Sequence, residues 1–231
     1  RWIHNRRNSN DILGSAQQSF AAFYGILLSL IAVEAYQDFS AAKQIVSNKA
    51  QTFATLYENL EAFPQPLRVT LQQELHDYAA ETVETHWPKD RFSPPPKGPS
   101  PRLARLFAGV LSFSPQTKGE ELAQASAYTQ VNRLVEQRRL LLASAGEGIP
   151  SGVWFVVRLG AFLYLLLVCM LDMEIHVHLL IGVVTSLFLG AVVFLIAALD
   201  NPFRGGIEVD PEPIIVVRDQ LTTPVIDRFG D

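Results

Sequence analysis

Chemistry-bearing side chains are few in the most apolar part of this chain, so each one stands out. Arg158 is the one formal charge within the runs Gly152–Leu171 and Leu179–Leu199. A charge inside such a run is costly: it marks an anion-attracting or interface role, or a side chain that snorkels back to water. Glu174, His176 and His178 put three potential metal ligands between the runs. They could share an ion only on extended backbone, and the plainer reading is ordinary polar residues in a loop. Glu34 and Asp38 stand one helical turn apart after a third apolar segment, where they either set negative charge at an opening or are simply solvated. His76 and His86 are too far apart on a helix for joint ligation. Cys169 is the single cysteine, which excludes an intrachain disulfide and any Cys-based metal or haem motif. There is no Walker loop, nucleophile elbow, dinucleotide fingerprint or HExxH motif, so catalysis has no positive sign and no cofactor is implied. A net charge of −4 without a basic block gives nucleic-acid binding no support.

The elements that must carry these residues are apolar helices. A bilayer core about 30 Å thick takes roughly 20 helical residues to cross. Gly152–Leu171 and Leu179–Leu199 meet that length and form a transmembrane hairpin. Phe20–Val33, extended back to Ile12, is the third span, with a buried helix of a soluble domain as its alternative. Within it Phe20, Phe23, Leu27, Leu30 and Ile31 lie close to one face, a stripe suited to a hydrophobic constriction or to packing and lipid contact. Gly25 and Ser29 give the small-xxx-small spacing of close helix contact. Trp154 opens the next span as an interfacial anchor.

Between the spans the pattern is amphipathic. Ile45, Val46, Lys49, Phe53, Leu56, Tyr57 and Leu60 recur at helical spacing on a mostly apolar face. No Pro or Gly lies between Gly25 and Phe63, so the first span can run on as one long helix. Pro64 and Pro66 stop this helix. A second helix fits Leu67–His86, with Leu71, Leu75, Tyr78, Ala79, Thr82 and Val83 on one face. Residues 88–101 (PKDRFSPPPKGPSP) form a Pro-rich loop, preceded by Trp87 packed at the helix end. A short helix around Arg102–Leu111 and a longer one over Gly119–Ala145 follow, the latter with Leu122, Ser126, Thr129, Leu134, Val135 and Leu141 as inward candidates. The tail after Leu199 is irregular, with one β-branched run, Ile214–Val217. The expected class is therefore all-α: three membrane helices and a helical domain, divided as residues 1–38, 39–151, 152–199 and 200–231.

The turn Asp172–His178 carries no Lys or Arg, whereas Lys43, Lys49, Arg138, Arg139 and Arg204 flank the other ends. The positive-inside rule places that turn outside and the helical domain and tail in the cytoplasm. Arg1, Arg6 and Arg7 then fall outside, against the rule, and a further span upstream, a fourth, would resolve the conflict.

Three stretches resemble a family of bacterial and plant membrane proteins of unknown function described as bestrophin-like: YGILLSLIAVEAYQDFSAAKQIVSNKAQTFATLY, with Glu34 at the membrane exit; ELHDYAAETVETHWP; and LDNPFRGGIEVDPEP directly after the last span. The last is the most specific. It holds Asp200, Asn201, Pro202, Phe203 and Gly205, and is similar to the Asn-Pro-Phe-Gly motif of bestrophins except that Arg204 intervenes. The dense acidic run that binds calcium in animal bestrophins is missing. The resemblance implies a homo-oligomeric ring, with a pentamer among the assemblies it suggests, that conducts anions such as chloride. The Phe20–Val33 segment would line it, in a bacterial inner membrane or a plant organelle membrane. The partners expected are the lipid bilayer and further copies of the chain. The alternative is a non-conducting structural or scaffold subunit of a larger membrane complex.

Overall fold

The computed structural model describes residues 6–86, 100–144, 148–203 and 207–221. All its regular elements are helices: α1 (Arg6–Leu60), α2 (Leu67–His86), α3 (Pro101–Ser112), α4 (Lys118–Ser144), α5 (Ser151–Cys169), α6 (Ile175–Leu199) and α7 (Glu212–Leu221). Trp87 and residues 88–99 of the Pro-rich loop lie outside the described residues, as do Arg204, Gly205 and Gly206.

The chain divides into two compact units. The membrane unit holds residues 1–39 and 148–201, and the helical unit holds residues 40–147 and 202–231. Among the described residues three helices are long and apolar enough to cross a bilayer: α1, α5 and α6. In the membrane unit Tyr24, Leu28 and Ile31 of α1 gather with Val157 of α5 and with Leu189 and Ile196 of α6 into one apolar cluster.

The helical unit is built on the second half of α1. Val46, Phe53, Leu56 and Leu60 are buried at steps of three, four and seven, the spacing of one helix face. Leu71, Leu75, Tyr78 and Ala79 form the buried face of α2, and the Phe53 and Tyr78 rings meet at 5.6 Å, centroid to centroid. Local signals set the later helices. Ser100 caps α3 ahead of Pro101, its hydroxyl accepting from the Leu103 N–H at 3.5 Å. Thr117 and Glu120 close a capping box on α4: the Glu120 N–H donates to the Thr117 hydroxyl at 3.2 Å, and the Thr117 N–H donates to the Glu120 carboxylate at 3.3 Å.

Two expectations change. The tail after the last span is not irregular throughout, because Ile214–Val217 lies inside α7. Asp210 accepts from the Glu212 N–H at 2.9 Å and Pro211 precedes the first turn, a helix start that outweighs the strand preference of β-branched residues. On α4 the inward face is Ala127, Gln130, Val131, Leu134, Arg138 and Leu141. Leu122 and Thr129 point outward instead. Two of the inward positions are polar, so a reading by hydropathy alone turns this face slightly around the helix axis.

Candidate functional site

The span segment of α1 presents two different sides. Along one, Phe20, Tyr24, Leu27, Leu28 and Ile31 pack toward the hairpin. Phe20 lies 5.9 Å from Tyr24 and stacks on Tyr164 at 6.3 Å, centroid to centroid. The Tyr24 hydroxyl donates to the Val157 carbonyl at 2.7 Å. Along the other side Phe23, Ile26, Leu30 and Val33 are exposed, Phe23 by 76%. The five residues of the sequence-derived stripe are therefore split: Ile31 is buried, Phe20 and Leu27 are half-buried, and Phe23 and Leu30 are exposed. Phe20, Phe23 and Leu27 do meet at an apolar groove of about 270 Å³, with Val156, Leu159 and Leu163 of α5 opposite.

Close helix approach occurs at Gly160. A Cβ there would overlap the Tyr24 ring, whereas one on Gly25 would meet nothing within 4 Å. The Ser29 hydroxyl turns back to the Gly25 carbonyl at 2.8 Å, so the Gly25/Ser29 pair is not at a helix contact among the described residues.

The polar candidates are dispersed. Glu34 and Asp38 are both exposed. Arg158 is exposed and makes no ion pair among the described residues. Glu174 precedes α6, and His176 and His178 lie in its first turn. They do not converge with one another, and among the described residues no group of three or more His, Cys, Asp or Glu could hold a metal ion.

Both ends of the hairpin are tied by side chains. At one end Asn10 forms a reciprocal pair with the backbone of Asp172: its amide donates to the carbonyl at 2.8 Å, and its carbonyl accepts from the N–H at 3.1 Å. At the other, Asp200 ends α6 and accepts from the Ile149 N–H ahead of α5 and from Trp154 Nε1 at 3.2 Å. Beyond it Asn201 is exposed, Pro202 buried and Phe203 half-buried. The Val209 N–H donates to the Pro202 carbonyl at 2.7 Å.

In the helical unit, α2 and α3 are joined by charge. Arg102 reaches Asp77 at 2.6 Å and Glu81 at 3.5 Å, and Arg105 reaches Glu74 at 2.9 Å. Slight burial works to raise the Asp77 pKa, but hydrogen bonds from Gln73 and His76 and the Arg102 guanidinium together hold it below the usual carboxylate range. Lys49 is fully buried on α1.

A bestrophin-like domain profile matches residues 1–214. The chain belongs to the bestrophin-like family. Its fold is also similar to solved structures of a bacterial bestrophin homologue from Klebsiella pneumoniae. One variant of that protein aligns with a TM-score of 0.72 at 12% identity, covering 94% of this chain and 88% of that one. A second gives 0.71 at 12% identity, over 90% and 86% of the two chains. A third gives 0.68 at 13%, over 95% and 88%. No curated protein matches the chain. In this bestrophin-like chain Asn10, Tyr24, Lys49 and the α2–α3 ion pairs do not stand out as functional candidates in the sequence. Asn10 and Asp172 are 162 positions apart, and no local pattern connects them.

Proposed function

We propose that this bestrophin-like protein is a subunit of a homo-oligomeric anion channel, with the span segment of α1 along the conduction path. The observation that carries the reading is the exposed apolar side of α1, Phe23, Ile26, Leu30 and Val33, on a helix whose other side is already packed against the hairpin. In a ring of subunits such a side can face an axis and form a constriction that gates by dewetting. The family match and the fold likeness support it. The helical unit and tail would be cytoplasmic by the positive-inside rule. Chloride is the first ion to try and a pentamer the first assembly to look for.

A scaffold reading is favoured by one observation. Glu34 and Asp38 are exposed at the end of the same segment, and an acidic ring there would disfavour anions. Chloride flux through the purified protein in proteoliposomes, with its oligomeric mass measured in parallel, decides between them. Flux from a discrete ring that changes in Phe23→Ala supports the channel. A monomer, or a ring without flux, supports the scaffold.

A further inference from the structure

Lysine is almost never fully buried unless paired. Lys49 is 0% exposed, and it makes no ion pair among the described residues. Its Nζ lies 5.0 Å from the centroid of the Tyr78 ring and 5.9 Å from that of Phe53, and it donates to the Thr82 hydroxyl at 3.3 Å. Two ring faces and one hydroxyl compensate an ammonium only in part. The charges that act on it come from the two helices packed around it: Glu81 on α2, which favours the ammonium, and Arg138 on α4, which opposes it. Arg138 is itself buried. Glu81, the carboxylate that favours the ammonium, also reaches Arg102 of α3 at 3.5 Å, so protonated Lys49 adds a cation beside the buried Arg138 while that carboxylate is already shared.

We propose that protonation of Lys49 loosens the junction of α1 with α2 and α4, making that junction a pH-sensitive latch in the helical unit. Burial first, then the Arg138 charge, outweighs Glu81 and pulls Lys49 down to about 7. Tyr78, whose ring faces Lys49, is pushed up to about 12 by burial and stays neutral across the range in which Lys49 titrates. Because α1 also carries the apolar segment, the latch offers a regulatory input to the channel proposed above. It does not require conduction, and its test does not measure flux.

The test is hydrogen exchange on the full chain in detergent, corrected for intrinsic rates, from roughly pH 6 to 8.5. Amides of α2 and α4 should keep one level of protection below the Lys49 value of about 7 and gain about tenfold for each pH unit above it. Lys49→Met should hold the protected state at every pH, Lys49→Arg should hold the weakly protected one, and Lys43→Met, at an exposed site on the same helix, should behave as wild type. A flat wild-type profile, or the same pH dependence in Lys49→Met, overturns the proposal. Should neither Lys49 variant fold, the lysine resonances of wild type labelled at Cε decide it. One lysine titrating near 7 supports the latch, and all titrating near the ordinary 10.5 refutes it.

Discussion

The ring of Tyr24 lies directly on Gly160, in the space a side chain at that position would occupy. This contact joins α1 to α5, and the Tyr24 hydroxyl bonds the Val157 carbonyl one turn away. Gly160→Val should therefore destabilise the membrane unit by about 1–3 kcal/mol through overpacking. Gly190→Val, where nothing lies within 4 Å of the added Cβ, should change little. Thermal unfolding of the two variants in detergent checks the difference, and equal midpoints would remove Gly160 as the point of close approach.

Asp200 holds the Ile149 N–H and the Trp154 indole. Asp200→Ala leaves both donors without that partner, at a cost of about 1–3 kcal/mol. Trp154→Phe removes one of the two bonds and should cost less. The order of the two unfolding midpoints is the measurement, and a reversed order would show that packing of the larger indole ring, rather than its bond to Asp200, dominates the Trp154 variant.

The helices are legible in the chain because their causes are local. Length and hydropathy mark α5 and α6, Pro64 and Pro66 close off α1, and amphipathic spacing marks α2. The α7 helix is hidden because Ile214–Val217 weighs toward strand by residue type, while its helix start rests on Asp210 and Pro211. The α1 stripe is legible only as an apolar arc. Helical periodicity does not say that Ile31 packs inward while Leu30 stays exposed, since that depends on where Val157 and Ile196 arrive from distant sequence. Asp200 stands out by motif, but its partners are 51 and 46 positions away, so its bonds need the fold.

Acid should weaken the α2–α3 junction. Asp77 titrates below its ordinary 3.8 in the folded chain, so it contributes stability above that pH, lost as pH falls through the lower folded value. Both Asp77 and Arg102 are partly exposed, so Arg102→Gln should cost only about 0.2–1 kcal/mol at neutral pH. It should also flatten the loss of unfolding temperature between roughly pH 5 and 2. Parallel wild-type and variant curves over that interval would mean the ion pair is not what holds Asp77 down.

Glu34 and Asp38 offer the sharpest test of the proposed conduction path. A unit charge about 8 Å from a permeating ion in water is worth roughly 0.5 kcal/mol, a factor of about two. Neutralising both, as Glu34→Gln with Asp38→Asn, should therefore raise chloride flux about twofold or more at roughly 10 mM salt, where the Debye length is about 30 Å. At about 1 M that length falls to about 3 Å, and the gain should vanish. A gain that persists at high salt would point to altered assembly rather than electrostatics. No gain at either salt, from a ring of unchanged mass, would place the two carboxylates away from the ion path and weaken the case that α1 lines it.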